Sequence, residues 1–353
     1  MKRISRNPQK FELLRIVDTY ARRRELDIRD GLNHELLLGE LGRSLEENRN
    51  NDILIYGTRV AMMFAYVAAV LGMCRLIKEE DAGELFTDLE IQVPDFRIVT
   101  SESHEILVEV KNFHSRDSLF EYKILRSYLD GLKLYASLFG CELFVAIFWS
   151  RPKIWTLVAP SDFDVRGDEC VISLIDALKS NQMSMLGDWT IGTVPSLSLR
   201  IKTDPSKPRK IDSEGQVKVT IEGMELYCGD TLLEDSTEQQ IAWFLMNYGD
   251  WPGEEIEPEI IAGELISFGF RVAPAERANP HQRFEIVGSL SQMISREFNA
   301  MTAPDGKVKL VSPASDPDTL GVVIPSKYKG NALPIWRFLI EPASKAPSKG
   351  EAI

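Results

Sequence analysis

The sequence predicts an α/β protein of three layers, in which helices cover both faces of a mixed β-sheet. A smaller α+β domain follows it. Between residues 56 and 159 the element order is helix, strand, strand, helix, strand, strand, which fits such a sheet. The stretch TDPSKPRKIDSEG at 203–215 combines proline, glycine and charge, which is typical of a linker. We therefore predict a first domain over 1–202, a linker over 203–215, a second domain over 216–340 and a disordered tail over 341–353.

Apolar residues at helical spacing predict the helices of the first domain. The predicted helices are Phe11–Arg24, Leu36–Glu47, Tyr56–Lys78 and Glu121–Phe139, the last ended by Gly140. The run Val60–Cys74 is apolar almost all round and too short to span a bilayer, so we expect a buried helix and no membrane contact.

β-branched and apolar residues bounded by turn formers predict the strands. The predicted strands are Leu89–Thr100, Glu105–Phe113, Cys141–Trp149 and Ile154–Ala159. The continuous apolar run Cys141–Trp149 is typical of a strand buried on both faces.

In the second domain, a hairpin followed by three helices and two strands suggests a winged-helix-like arrangement. The predicted elements are a hairpin at 216–230, helices at Ser236–Tyr248, Pro258–Phe268 and His281–Met301, and strands at Lys307–Val311 and Leu320–Pro325. Such a domain would select the substrate or recruit a partner.

Composition and charge limit the class of protein. The four cysteines are far apart and lack zinc-ligand spacing, so we expect free thiols, no structural zinc and a cytoplasmic location. The net charge is −12, and residues 211–264 carry fourteen acidic residues against Lys218 alone. This acidic segment is either a solvated surface or a contact for a basic protein partner. The first thirty residues are basic, and a local basic surface can meet nucleic acid despite a negative total.

The residues that point to chemistry are Asp95, in the stretch Val-Pro-Asp-Phe, and Glu109 and Lys111, in the apolar strand Leu-Val-Glu-Val-Lys. Side chains at i and i+2 of a strand share a face, so Glu109 and Lys111 point together. Charges in so apolar a strand are costly unless they are paired or bind a metal. If Asp95 lies alongside, two carboxylates offer oxygen ligands to Mg²⁺ or Mn²⁺, and Lys111 can orient water at a phosphate.

Over roughly residues 56–160 the sequence resembles the PD-(D/E)XK nuclease superfamily, which has the restriction-endonuclease-like fold. The matching residues are Pro94–Asp95 and Glu109–Val110–Lys111, with the helix-and-strand stretch that follows them. The resemblance implies a metal held by Asp95, Glu109 and the main-chain carbonyl of Val110, with Lys111 assisting the hydrolytic water. It implies an endonuclease that hydrolyses phosphodiester bonds, with DNA expected as the substrate more than RNA. It also implies a role in restriction, phage defence or DNA repair.

One departure affects the metal site. Many members of the superfamily place a glutamate on the helix before the first motif strand, and GTRVAMMFAYVAAVLG contains no acidic residue. Glu46 or Glu47 would fill the role, or the site would use two carboxylates. A catalytically inactive, nucleic-acid-binding or protein-interaction subunit is therefore the alternative to an enzyme.

Flanking residues are candidates for nucleic-acid contact. His114 follows the motif strand, Lys123 begins the predicted next helix, and Arg22, Arg23 and Arg24 form a basic cluster. For each of them a solvated loop or helix surface is the alternative. Because cutting both strands of a duplex normally needs two active sites, a homodimer is a further expectation.

Overall fold

The structure is a computed structural model that describes residues 1–3, 13–80, 85–114, 120–276, 281–317, 324–325 and 327–342. The helices are α1 Leu14–Arg24, α2 Gly31–Asn48, α3 Asp52–Leu71, α4 Arg126–Phe139, α5 Leu174–Lys179, α6 Ser236–Tyr248 and α7 Leu290–Thr302. The first eight strands are β1 Cys74–Glu79, β2 Phe96–Thr100, β3 Glu105–Phe113, β4 Glu121–Leu125, β5 Glu142–Trp149, β6 Ile154–Val158, β7 Asp164–Arg166 and β8 Glu169–Ser173. The others are β9 Trp189–Thr193, β10 Leu197–Thr203, β11 Ile221–Cys228, β12 Thr231–Leu232, β13 Gly253–Ile261, β14 Glu264–Val272, β15 Glu285–Ser289 and β16 Ile335–Leu339.

The central sheet is mixed, with strand order β1-β2-β3-β5-β6. β3 and β5 run parallel, and the other neighbours are antiparallel. Alternate residues of β3 enter different cores: Val108 packs with α3 on one face, and Leu107 packs with α4 on the other. The predicted mixed α/β sheet with helices on both faces is therefore present.

α3 is the central helix of the larger core. Its second half is buried, and buried Arg59 donates hydrogen bonds to Thr302 Oγ1 of α7 at 3.1 and 2.8 Å. Its 20 residues, more than the predicted apolar run, are long and apolar enough to cross a membrane. More than half of its apolar window is buried inside the protein, as expected of a core helix.

Two predicted helices of the first domain are partly wrong because each also covers a strand. Tyr56–Lys78 is helical only to Leu71, where Gly72 adopts a φ of 87° and ends the helix before β1. Glu121–Phe139 begins with β4, whose backbone pairs with β8, so only Arg126 onward is helical. The predicted strand Leu89–Thr100 starts only at Phe96.

The winged-helix prediction is not confirmed. Pro258–Phe268, predicted as its second helix, lies in a β-hairpin formed by β13 and β14. His281–Met301, predicted as its third helix, contains β15 and is helical only from Leu290 onward. Lys307–Val311, predicted as a strand, has no strand assignment. Residues 11–12 of the first predicted helix, 320–323 of the last predicted strand and 343–353 of the predicted tail lie outside the described residues.

Strands on either side of the predicted linker pair with each other. β10 lies between β11 and β14 in a five-stranded sheet, and β9 lies between β15 and β16 in a three-stranded sheet. One hydrophobic core includes α3, α6 and α7. The division at 203–215 stays a prediction, and the pairings across it provide a direct way to test it.

Candidate active site

Asp95 lies where β2 and β3 separate. The two strands pair up to Phe96 and Val108, and beyond that point the Val110 amide donates instead to Asp95 Oδ2 at 2.6 Å. The Asp95 carbonyl accepts from the Glu80 amide at 2.8 Å. The half-buried Asp95 is thereby fixed against β3, directly beside the strand that carries Glu109 and Lys111.

Glu109 and Lys111 lie on the same side of β3, as their spacing predicts. The Glu109 side chain is 3% exposed and the Lys111 side chain 29%, and Lys111 Nζ lies 2.5 Å from Glu109 Oε1. Burying a carboxylate this deeply is costly without a partner of opposite charge, and Lys111 provides one. Lys111 remains open enough to solvent to meet a substrate.

Tyr128 of α4 completes this cluster, and the sequence analysis missed it. Its hydroxyl donates to Glu109 Oε1 at 2.7 Å, and Lys111 Nζ lies 3.4 Å from that hydroxyl and 4.7 Å from the ring centroid. Burial, and after it the charge of Glu109, raises the pKa of Tyr128. The hydroxyl therefore stays protonated and remains a donor.

Glu109, Lys111 and Tyr128 all line one cleft of about 920 Å³. His114 also lines the cleft, and its Nδ1 lies 2.9 Å from Ser150 Oγ. The full lining is Asp52, Ile53, Tyr56, Gly57, Thr58, Ala61, Met62, Glu79, Val93, Asp95, Phe96, Glu109, Val110, Lys111, Asn112, His114 and Tyr128. The cleft thus brings together Asp95, Glu109, Val110, Lys111 and His114 from the predicted set.

The other predicted contact residues lie outside the cleft lining. Lys123 is on a strand, where its Nζ lies 3.0 Å from Glu169 Oε2. Arg22 pairs with Asp18 at 2.9 Å and Arg24 with Glu40 at 2.5 Å, while Arg23 is exposed on α1. Their role in nucleic-acid contact stays a prediction.

The donor set suits a hard divalent cation. Carboxylates of Asp95 and Glu109 and the carbonyl of Val110 are oxygen ligands, and Mg²⁺ commonly keeps several waters with only one or two protein carboxylates. Across the described residues, no three His, Cys, Asp or Glu side chains cluster as a ready-made metal site. Glu46 lies apart and pairs with Arg49 at 2.6 Å, whereas Asp52 and Glu79 are the further carboxylates in the cleft.

The acidic segment 211–264 is partly neutralised within the protein. Lys202 Nζ lies 2.6 Å from Glu225 Oε1, and Arg209 Nε lies 2.9 Å from Glu264 Oε2. β13, at one edge of its sheet, is exposed along nearly its whole length. A basic protein partner for this segment stays a prediction.

Comparisons with known proteins add a distant likeness. No protein-family model and none of the curated proteins matches the chain. Among solved structures, it is similar to Hjc, a Holliday junction resolvase of the archaeal hyperthermophile Archaeoglobus fulgidus, with a TM-score of 0.30 and 16% identity. The match covers 37% of this chain and 96% of that one. A likeness with so low a TM-score does not support any assignment, so the interpretation of the site depends on its geometry alone.

Proposed function

We propose that the chain is a metal-dependent nuclease that hydrolyses phosphodiester bonds, with DNA as the preferred substrate over RNA. The observation that carries the proposal is the meeting of Asp95, Glu109 and Lys111 in one solvent-accessible cleft. Burying the carboxylate of Glu109 and keeping the ammonium group of Lys111 partly exposed beside it does not stabilise the fold. The arrangement therefore favours a chemical role for the two side chains.

Each group has a defined part in hydrolysis. Asp95, Glu109 and the Val110 carbonyl would hold Mg²⁺ or Mn²⁺, which supplies a water of lowered pKa and neutralises charge on the phosphate. Lys111, held by Glu109, donates hydrogen bonds to the attacking water and to the phosphate oxygens as negative charge builds there. Tyr128 keeps the Glu109 carboxylate oriented through its hydroxyl.

The test is nuclease activity of the full chain on plasmid, linear and single-stranded DNA and on RNA, with Mg²⁺, Mn²⁺ or a chelator. We expect Asp95→Ala and Lys111→Ala each to lower kcat by about 100-fold or more, a typical cost of losing one group that stabilises charge in the transition state. Lys179→Ala is the matched control, since its ion pair with Asp176 lies outside the cleft lining, and it should retain activity. Activity that survives both site substitutions would refute the assignment.

The alternative is a nuclease-fold subunit that binds nucleic acid or protein without cutting. The contacts that favour it are those of Glu109, whose Oε1 is already bound by Lys111 and Tyr128. A wild-type chain that binds oligonucleotides but cuts none of the four substrates with either metal would support this alternative. A role in restriction, phage defence or DNA repair belongs to the nuclease proposal and would need a cellular assay.

A further inference from the structure

The wall that α3 contributes to the cleft differs in chemistry from the wall that carries the motif. The first turns of α3 extend beyond the core, and they present Ile53, 89% exposed, and Tyr56, 37% exposed. Gly57 and Ala61 continue the same wall with small side chains. An exposed aromatic ring and an exposed aliphatic side chain therefore stand at the mouth of the cleft.

The charge of the cleft does not suit a duplex. In the described part of the lining, Lys111 is the only lysine or arginine, against the carboxylates of Asp52, Glu79, Asp95 and Glu109. Proteins that bind duplex DNA neutralise several phosphates on both strands with lysine and arginine. Single strands also meet basic side chains along their backbone, but a large share of their binding energy comes from aromatic side chains on which bases stack, whatever their sequence.

The size of the cleft agrees with this distinction. Its volume of about 920 Å³ lies within the range of about 300–1,000 Å³ that is typical of pockets for small molecules. A pocket of that size admits single nucleotides.

We propose that the cleft takes an unpaired nucleotide strand, with a base against Tyr56 and Ile53 and the adjoining phosphate at Asp95, Glu109 and Lys111. The placement of the phosphate rests on the proposed nuclease function. The contact between base and α3 does not, because it concerns binding alone.

A substitution at Gly57 can test whether the α3 side of the cleft contacts the nucleotide strand, without disturbing the core. A Cβ built at Gly57 meets nothing within 4 Å, so a larger side chain there projects into open space. Replacing a helical glycine also favours the helix, so loss of folding is not the expected effect. Gly39 of α2 is equally open and lies outside the cleft lining, which makes it the matched control.

The first experiment measures binding of labelled oligonucleotides by fluorescence anisotropy, with Ca²⁺ replacing Mg²⁺ to prevent cutting. The probes are a mixed-sequence single-stranded DNA, its RNA counterpart and a blunt DNA duplex of equal length. We expect Tyr56→Ala to weaken single-strand binding about tenfold and Tyr56→Phe to leave it nearly unchanged, since base stacking needs only the ring. Gly57→Trp should also weaken it, whereas Gly39→Trp should not.

The outcomes separate this inference from the nuclease proposal. Duplex bound as tightly as single strand, or binding indifferent to both Tyr56→Ala and Gly57→Trp, overturns the inference even if the protein cuts DNA. Single-strand binding that depends on Tyr56 upholds it even if Asp95→Ala changes no activity. Where the protein does cut, Tyr56→Ala should raise KM about tenfold with little change in kcat, as expected for a binding contact.

Discussion

At the scale of single residues, the hydroxyl of Tyr128 is the contact that joins α4 to the cluster on β3. Tyr128→Phe removes the 2.7 Å hydrogen bond to Glu109 but keeps the ring beneath Lys111. A hydrogen bond to a charged group contributes about 1.5–3 kcal/mol, so we expect kcat to fall roughly tenfold or more. The loss should fall on kcat and leave KM nearly unchanged, because the lost hydrogen bond holds a catalytic group and not the substrate.

Tyr135 offers the matched control on the same helix. Its hydroxyl donates to the Glu80 side chain at 2.8 Å, and neither Tyr135 nor Glu80 lines the cleft. Tyr135→Phe should therefore leave both kcat and KM unchanged. If Tyr128→Phe and Tyr135→Phe behave alike, Tyr128 has no positioning role.

How far the site could be predicted depends on how local each contact is. Glu109 and Lys111 follow from alternation along one strand, and Asp95 follows from its place just before the preceding strand. Tyr128 and Glu79 lie on other elements, α4 and β1, which tertiary packing brings close to β3. The periodicity of the sequence does not predict which elements pack together. Lys123 was predicted on a helix for the same reason, since β4 pairs with β8, in which the partner of Lys123 is Val171.

At the scale of elements, α4 is held close to the chain that leads into Asp95. Gly131 lies at this contact, where an added Cβ would stand 2.9 Å from Gln92 Cγ and 3.1 Å from the Gln92 backbone nitrogen. Alanine ordinarily stabilises a helix interior by about 1 kcal/mol relative to glycine. Here we expect Gly131→Ala to lower the free energy of unfolding by about 1–3 kcal/mol, the range for overpacking.

Gly57→Ala in α3 is the comparison for this prediction. Its Cβ would meet nothing within 4 Å, so the substitution should raise stability by up to about 1 kcal/mol. Urea denaturation of both variants measures the contrast. A stabilised Gly131→Ala would mean that α4 does not press on the segment before Asp95.

The element that sequence reasoning misjudged most is the hairpin of β13 and β14. Its turn consists of Ala262 and Gly263, both with positive φ, at 52° and 81°. Two-residue hairpin turns of this kind are usually marked by Asn-Gly or Asp-Gly, and Ala-Gly lacks that signal. The isoleucines and leucines on either side are also compatible with helical spacing, so pairing with β10 decides the structure.

At the scale of the whole molecule, a buried glutamate should make stability depend on pH. Glu297 of α7 is 7% exposed, and its Oε2 has no hydrogen-bond partner within the described structure. Burial raises its pKa to about 7, from 4.5. Tyr66 of α3 and Tyr248 of α6 face it, and its charge contributes to raising the pKa of each.

The sign follows from proton binding. Between pH 4.5 and 7 the folded chain keeps a proton that the unfolded chain loses, so stability falls as pH rises and then levels off. Glu297→Gln removes this cost and should raise the free energy of unfolding at pH 8 by up to about 3 kcal/mol, with little gain at pH 5. Glu102→Gln, at an exposed position, is the control. Equal effects of Glu297→Gln at both pH values would contradict the argument.

Residues 1–202 lack strands that complete two of the sheets to which they contribute. Strands β9 and β10 pair on both sides with strands from 221 onward, and their residues Ile191 and Leu197 are fully buried. Without those partners, unpaired backbone groups and apolar side chains would face water, at a cost comparable to the whole stability of a domain. We expect residues 1–202 expressed alone to show no cooperative thermal transition by circular dichroism, while residues 1–342 unfold like the full chain. A sharp transition in the shorter fragment would instead establish the division at 203–215, and the nuclease core could then be studied alone.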